Sequence, residues 1–204
     1  GLDVDFFTRV KAGYIVDFCR RRFDDIGACT LLDVGCGVGN FHPLLAPHFG
    51  QLHGVDVSAA CIEEARMRNT NVAYSTYDGN RLPYDDGTFD IAIAVCVMHH
   101  VPVSQRPQFM GEIARVLRPG GHALVFEHNP FNPLTRHVVK SCPFDEDAVL
   151  LNAREVRTLF DAAGLRGARD RFILAIPAAT RMLRRVDGLF SRLPIGAQYF
   201  SSAQ

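Results

Sequence analysis

Residues 31 to 41 read Leu-Leu-Asp-Val-Gly-Cys-Gly-Val-Gly-Asn-Phe, and Gly54-Val55-Asp56-Val57-Ser58 follows them. Leu31, Leu32 and Val34 have the apolar character of a buried strand, and the run halts at glycines where a backbone must pass tightly under a bound group. A second apolar run halts at Asp56, a carboxylate able to accept both hydroxyl hydrogens of a ribose diol. Strand, glycine turn, strand and acid outline a nucleotide-type pocket.

The spacing of the glycines decides which nucleotide fits. A dinucleotide site wants Gly-x-Gly-x-x-Gly, so that a pyrophosphate can sit on bare helix N–H groups. Counted from Gly35 that register puts Asn40 in the third place, and counted from Gly37 it puts His42 there. Nicotinamide-dinucleotide chemistry is therefore disfavoured. Asp33 at the strand end would repel a pyrophosphate but suits an ammonium group, and S-adenosylmethionine carries an adenosine and an ammonium without any phosphate.

Three further blocks follow in order: Asp78-Gly79-Asn80-Arg81-Leu82-Pro83-Tyr84, then Thr88-Phe89-Asp90-Ile91-Ala92-Ile93-Ala94-Val95-Cys96-Val97-Met98-His99-His100-Val101, then Arg115-Val116-Leu117-Arg118-Pro119-Gly120-Gly121. With these blocks the chain resembles the class I S-adenosylmethionine-dependent methyltransferases, in particular their small-molecule, type 11-like branch. The resemblance implies methyl transfer to oxygen, nitrogen or carbon of a small-molecule acceptor, with S-adenosylhomocysteine as product. A catalytically silent S-adenosylmethionine-binding partner or regulatory module is the alternative.

By the same resemblance the backbone of Asp33 through Gly39, including Gly35, Cys36 and Gly37, lines the methionine half, with Asp33 acting directly or through water on the ammonium, and Asn40 is a further cofactor-binding residue. Asp56 takes the ribose and Val57 the adenine face, while Ser58 caps the next helix. Asp78, Gly79 and Asn80 border the adenine edge, and Cys96 is a backbone neighbour of the methionine portion. Metal is not implied.

A sulfonium methyl is displaced in line, so alignment and water exclusion carry most of the chemistry. A general base is needed only for a hydroxyl or a protonated amine, and histidine suits that role near neutrality. His99 and His100 lie just past the fourth strand. On an extended strand end adjacent side chains point opposite ways, so at most one should face the acceptor, and His100 is favoured. His128 on the same rim is the second candidate base. The long stretch 129–152 reads as a substrate lid. Arg136, His137 and Lys140 within it could grip an anionic acceptor or form a solvated basic turn.

The expected architecture is α/β: a Rossmann-like, doubly wound, seven-stranded and mostly parallel sheet with an antiparallel last strand and helices on both faces. The pattern predicts strands at 29–34, 51–55, 72–76, 89–96, 121–127, 168–176 and 197–201. Helices are predicted at 40–48, 58–69, 104–117 and 153–163, the last capped by Gly164. Phe6, Phe7, Val10, Tyr14, Ile15 and Phe18 recur at helical spacing inside an N-terminal segment, 1–28. Met182, Leu183, Val186, Leu189, Phe190 and Leu193 form a late apolar stripe opposite several arginines. That stripe should pack on the domain or a partner subunit, with a membrane surface as the lesser alternative.

The 204 residues suit one domain, 1–204, and 48% hydrophobic with 22% charged is ordinary for a globular chain. Basic and acidic residues balance at 22 each, so no net field recruits nucleic acid or an anionic membrane. No apolar run nears the roughly 18 residues that span a bilayer, and a cytoplasmic location is expected. Cys19, Cys29, Cys36, Cys61, Cys96 and Cys142 show neither a C-x-x-C pair nor ligand spacing with histidine, so reduced thiols are expected. The chain starts almost directly in a helical pattern, which leaves a preceding segment and the oligomeric state open.

Overall fold

The computed structural model describes residues 4–142 and 145–204; Pro143 and Phe144 of the expected lid lie outside the described residues. Seven strands form one sheet: β1 (Thr30–Val34), β2 (Gln51–Asp56), β3 (Ala73–Thr76), β4 (Phe89–Val95), β5 (Leu117–His128), β6 (Arg169–Ile173) and β7 (Gln198–Ala203). Their order is β3-β2-β1-β4-β5-β7-β6, with β7 antiparallel to both neighbours and the rest parallel. The order reverses between β1 and β4, and a doubly wound sheet opens its ligand crevice at the carboxyl ends beside that reversal.

Strand alternation sets how each face is covered. Ile91 and Ile93 of β4, with Leu31, Phe126 and Phe200, pack against Val10, Ile15 and Phe18 of α1 (Val4–Cys19). Ala92 and Ala94 look the other way, where small side chains admit α4 (Arg106–Val116) and α6 (Ala153–Ala162) through Phe109, Ile113, Val156 and Phe160. α3 (Ala59–Arg68) lies over β3 through Ile62, Ala65 and Tyr74, and Ser58 Oγ accepts the Cys61 N–H as its cap. α6 starts with a capping box of Asn152 and Glu155, and Gly164 follows its end at φ +84°.

Four expectations shift. The helix predicted at 40–48 is a single turn, α2 (His42–Leu45), because the side chain of His42 is drawn under the glycine loop. The strand predicted at 121–127 begins at Leu117, which pairs with Phe89; the register then slips between Phe89 and Ile91, and Arg118–Gly121 are taken up at the irregularity. Arg118 there grips both oxygens of Asp90 at 2.9 Å. Strand 168–176 shortens to β6, whereas strand 197–201 lengthens to β7.

The fourth shift concerns the late stripe. It divides into α7 (Arg181–Asp187) and a 3-10 turn, Gly188–Phe190, and Met182, Leu189 and Leu193 face outward. What docks α7 is polar. The fully buried Asp187 carboxylate accepts the Tyr14 hydroxyl at 2.5 Å and the N–H groups of Leu174, Ala175 and Ile176 at 2.9 to 3.2 Å. Arg184 reaches Asp17 of α1 at 2.9 Å. Among the described residues no helix is long and apolar enough to cross a membrane.

Candidate active site

The loop after β1 is held in shape by β2. Gly35 and Cys36 donate to the Val55 carbonyl, and Asp56 accepts the Gly37 N–H at 2.8 Å and the Ser58 N–H at 2.9 Å. Gly35 has φ +76°, and a Cβ there would meet a Val97 methyl at 2.6 Å; only glycine passes. Beneath the loop Asp33 accepts from His42 Nε2 at 3.2 Å, His42 Nδ1 pairs with the Tyr74 hydroxyl, and Asn69 donates to the Gly39 carbonyl. This buried chain braces the turn from below.

Above the turn opens a cavity of 380 Å³, within the range of small-molecule sites. Gly35, Cys96 and Val97 form its base, Asp56 one side, and Val57, Tyr77, Gly79 and Phe109 an apolar slot. Val57 is 61% exposed and offers its apolar side chain to this slot. Among the described residues no arginine lines this cavity, and the nearest lysine, Lys11, sits behind Cys96 rather than on the wall.

Of the residues expected at the cofactor, Gly35, Asp56, Val57, Gly79 and Cys96 reach the cavity wall. Gly37 is tied to Asp56, and Cys36 is buried beside it, where burial pushes its thiol up. Asp33 is buried below the loop, with its carboxylate on His42 Nε2. Asn40 is exposed on Arg68, away from the cavity. Asp78 and Asn80 form an exposed turn at its edge, in which Asp78 accepts the Asn80 and Arg81 N–H groups and is held below the usual carboxylate range by them.

Two residues beside Cys96 escaped the sequence reading. Lys11 of α1 is buried, stands over the Phe41 ring and donates to Cys96 Sγ at 3.3 Å. The available signal was a lysine on the apolar face shared by Val10, Tyr14 and Phe18. Gln198 of β7 is buried beside Cys96 and His128, and its Oε1 has no hydrogen-bond partner among the described residues. A buried cation and an orphaned acceptor are the chemistry that a zwitterionic amino-acid end requires. Burial pushes the Cys96 thiol up despite Lys11, so it is not poised as a nucleophile.

The histidines occupy the open end. β4 stops at Val95, so His99 and His100 lie in a turn and do not point opposite ways. Their rings are 4.1 Å apart, and both Nε2 atoms stand 3.5 Å from Asp145 Oδ1. Buried His99 also donates through Nδ1 to Glu127 at 2.6 Å, and Glu127 accepts the Met98 N–H as well. Burial works against a charged His99, but Glu127 and then Asp145 outweigh it and raise its pKa. His100 is 44% exposed, lines the cavity and is lowered by burial and by His99. His128, lowered to about 4 by burial and His99, lies against Gln198 and off the cavity wall.

Asp145 was not singled out from sequence; it arrives from the 129–152 segment, far along the chain. The ligating atoms of His99, His100 and Asp145 lie within 4.8 Å of one another, a grouping that a divalent cation could also bridge. The rest of the segment contains α5 (Pro133–Ser141), with Arg136, His137 and Lys140 exposed on it and outside the cavity. The cysteines are unpaired among the described residues.

A family model described as a methyltransferase domain matches residues 32–125. Methyltransferase GfsG of Streptomyces halstedii is 40% identical over 112 residues, 52% of this chain and 40% of that protein. Norajmaline N-methyltransferase of Rauvolfia serpentina is 32% identical over 114 residues, 51% of this chain and 38% of that protein. The chain thus spans about 40% of the length of these curated relatives. A solved S-adenosylmethionine-dependent methyltransferase from Aquifex aeolicus shares the fold with a TM-score of 0.69 at 18% identity, covering 98% of this chain and 93% of that one. With the four sequence blocks and the 3-2-1-4-5-7-6 sheet, residues 32–125 carry a methyltransferase domain of the class I S-adenosylmethionine-dependent kind.

Proposed function

We propose that this chain transfers a methyl group from S-adenosylmethionine to a hydroxyl oxygen of a small metabolite, with His100 as general base. The observation that carries the reading is the convergence of His99 and His100 on Asp145, backed by Glu127, at the open end of the cavity. Bound in the cavity, S-adenosylmethionine supplies an electrophilic methyl on sulfur. Asp56 accepts the ribose hydroxyls, and Val57, Tyr77 and Gly79 enclose the adenine. Gly35, Gly37 and Cys36 present backbone to the methionine portion, with Lys11 on its carboxylate and Gln198 on its ammonium.

An alcohol becomes a competent nucleophile as its proton leaves, whereas a neutral amine needs no base. His100 is held neutral, as a base must be before it acts. With its Nε2–H on Asp145, Nδ1 keeps a lone pair for the acceptor proton, and Asp145 offsets the imidazolium that forms. His99 stays between Glu127 and Asp145 and fixes the position of the pair. His128 is too weakly basic to compete. The 129–152 segment, which delivers Asp145, closes over the acceptor and excludes water.

The test is transfer of a labelled methyl from S-adenosylmethionine to a metabolite extract, with products identified by mass spectrometry. A methyl ether is expected. His100→Gln should lower kcat about 10²- to 10⁴-fold while cofactor affinity holds. An N- or C-methylated product, or full activity in His100→Gln, contradicts the assignment.

A further inference from the structure

The other end of the sheet carries a second concave site, of 540 Å³ and opposite character. Arg169 and Arg171 lie two apart on β6 and so share one face, and they pair across the ladder with Ser202 and Phe200 of β7. Arg21 and Arg22, just past α1, and Arg192, after the 3-10 turn, close around the same floor of Phe18 and Phe200. Ser202 lies at the carboxyl end of β7, which runs antiparallel to β5 and so ends toward the amino ends of the parallel strands, whereas the cofactor cavity lies at their carboxyl ends.

Five guanidinium groups meet here, and none of them makes an ion pair among the described residues. The carboxylates within reach are engaged elsewhere. Asp170 on the groove wall binds Arg157 and the Ser201 hydroxyl, and Asp17, one turn before Arg21, binds Arg184 and Arg181. Burial and then the charge of Arg171 weaken the hold of Arg21 on its proton. Aromatic rings fix two of the five: the Arg22 guanidinium stands 5.3 Å from the Phe18 ring centre and that of Arg171 stands 5.9 Å from Tyr14. In a chain of zero net formal charge, six other arginines are paired with acids. This uncompensated cluster is therefore a local feature and no consequence of overall charge.

We propose that this groove binds a small molecule carrying two or more phosphoryl groups. Guanidinium forks match phosphate oxygens two at a time, and several forks around one concave floor suit linked phosphates better than a single anion. The enclosed shape and pocket-sized volume favour a small ligand over a flat membrane or a nucleic-acid backbone. The site is separate from the methyl-transfer cavity and stands whether or not that reading holds.

Inorganic pyrophosphate, titrated calorimetrically into the full chain at physiological salt without divalent metal, is the probe. Saturable binding at one site is expected, tighter than for orthophosphate and weakened at least about tenfold in the Arg21→Gln/Arg171→Gln double variant. Titration of S-adenosylhomocysteine into the same variant reports folding and the cofactor site separately, and its affinity should be unchanged. Absence of saturable binding, or equal binding by the wild type and a folded double variant, overturns the proposal. So does binding of anionic-lipid vesicles or duplex DNA that pyrophosphate fails to displace.

Discussion

Replacing Glu127 by glutamine perturbs the histidine pair at its root. Glu127 is fully buried and carries two bonds, from the Met98 N–H and from His99 Nδ1. Glutamine keeps an oxygen for Met98 but turns an NH₂ toward His99, so Nδ1 must become an acceptor and the ring proton moves to Nε2. A buried charge-assisted bond is worth about 1.5–3 kcal/mol, and a loss of about 2 kcal/mol lowers Tm by about 4–8 °C at this chain length. The pH dependence is the sharper signature. His99 has a folded pKa above its unfolded value of about 6.5, so its stabilising contribution is complete below that pH and fades as pH rises through the folded pKa. The Tm deficit of Glu127→Gln should therefore be largest on the acid side and narrow as pH rises. Scanning calorimetry of both proteins between pH 5.5 and 9, a range set around the histidine value, measures it. A deficit that is absent, or that widens with pH, refutes the Glu127–His99 ion pair.

Asp187→Asn leaves one oxygen for four donors around α7, and chemical denaturation should show a loss of about 2–4 kcal/mol with an unchanged m-value. Gly35→Ala forces a Cβ into Val97 at φ +76° beside the cavity, so S-adenosylhomocysteine affinity should fall at least about tenfold. Gly111→Ala, in the interior of α4 with open space around it, should instead stabilise by about 0.5–1 kcal/mol in the same denaturation assay.

The strand ends were legible because their chemistry is local. Leu31 to Gly39 and Val55 to Ser58 each hold an apolar run, its stop and the polar group in a few residues. Long-range contacts account for what was not. Lys11 and Cys96 meet across 85 positions, and Asp145 joins His99 from a different loop. Nothing in either local sequence announces the other. The histidine pair was misread because the strand was carried to residue 96, and strand alternation fails in the turn that follows Val95. Asp187 is an acid within an amphipathic pattern, and its burial depends on Tyr14 and three backbone donors that only the fold assembles. Arg118-Pro119-Gly120-Gly121 reads as a helix stop, which it is, but cross-strand pairing of Leu117 with Phe89 also makes it the start of β5.

Calorimetric titration of S-adenosylhomocysteine into the wild type and into Asp56→Ala tests the central claim most directly. The account predicts one site per chain, with affinity reduced at least about tenfold when the carboxylate proposed to hold the ribose is removed. No heat of binding to folded wild-type protein, or equal affinity in the two proteins, would contradict it.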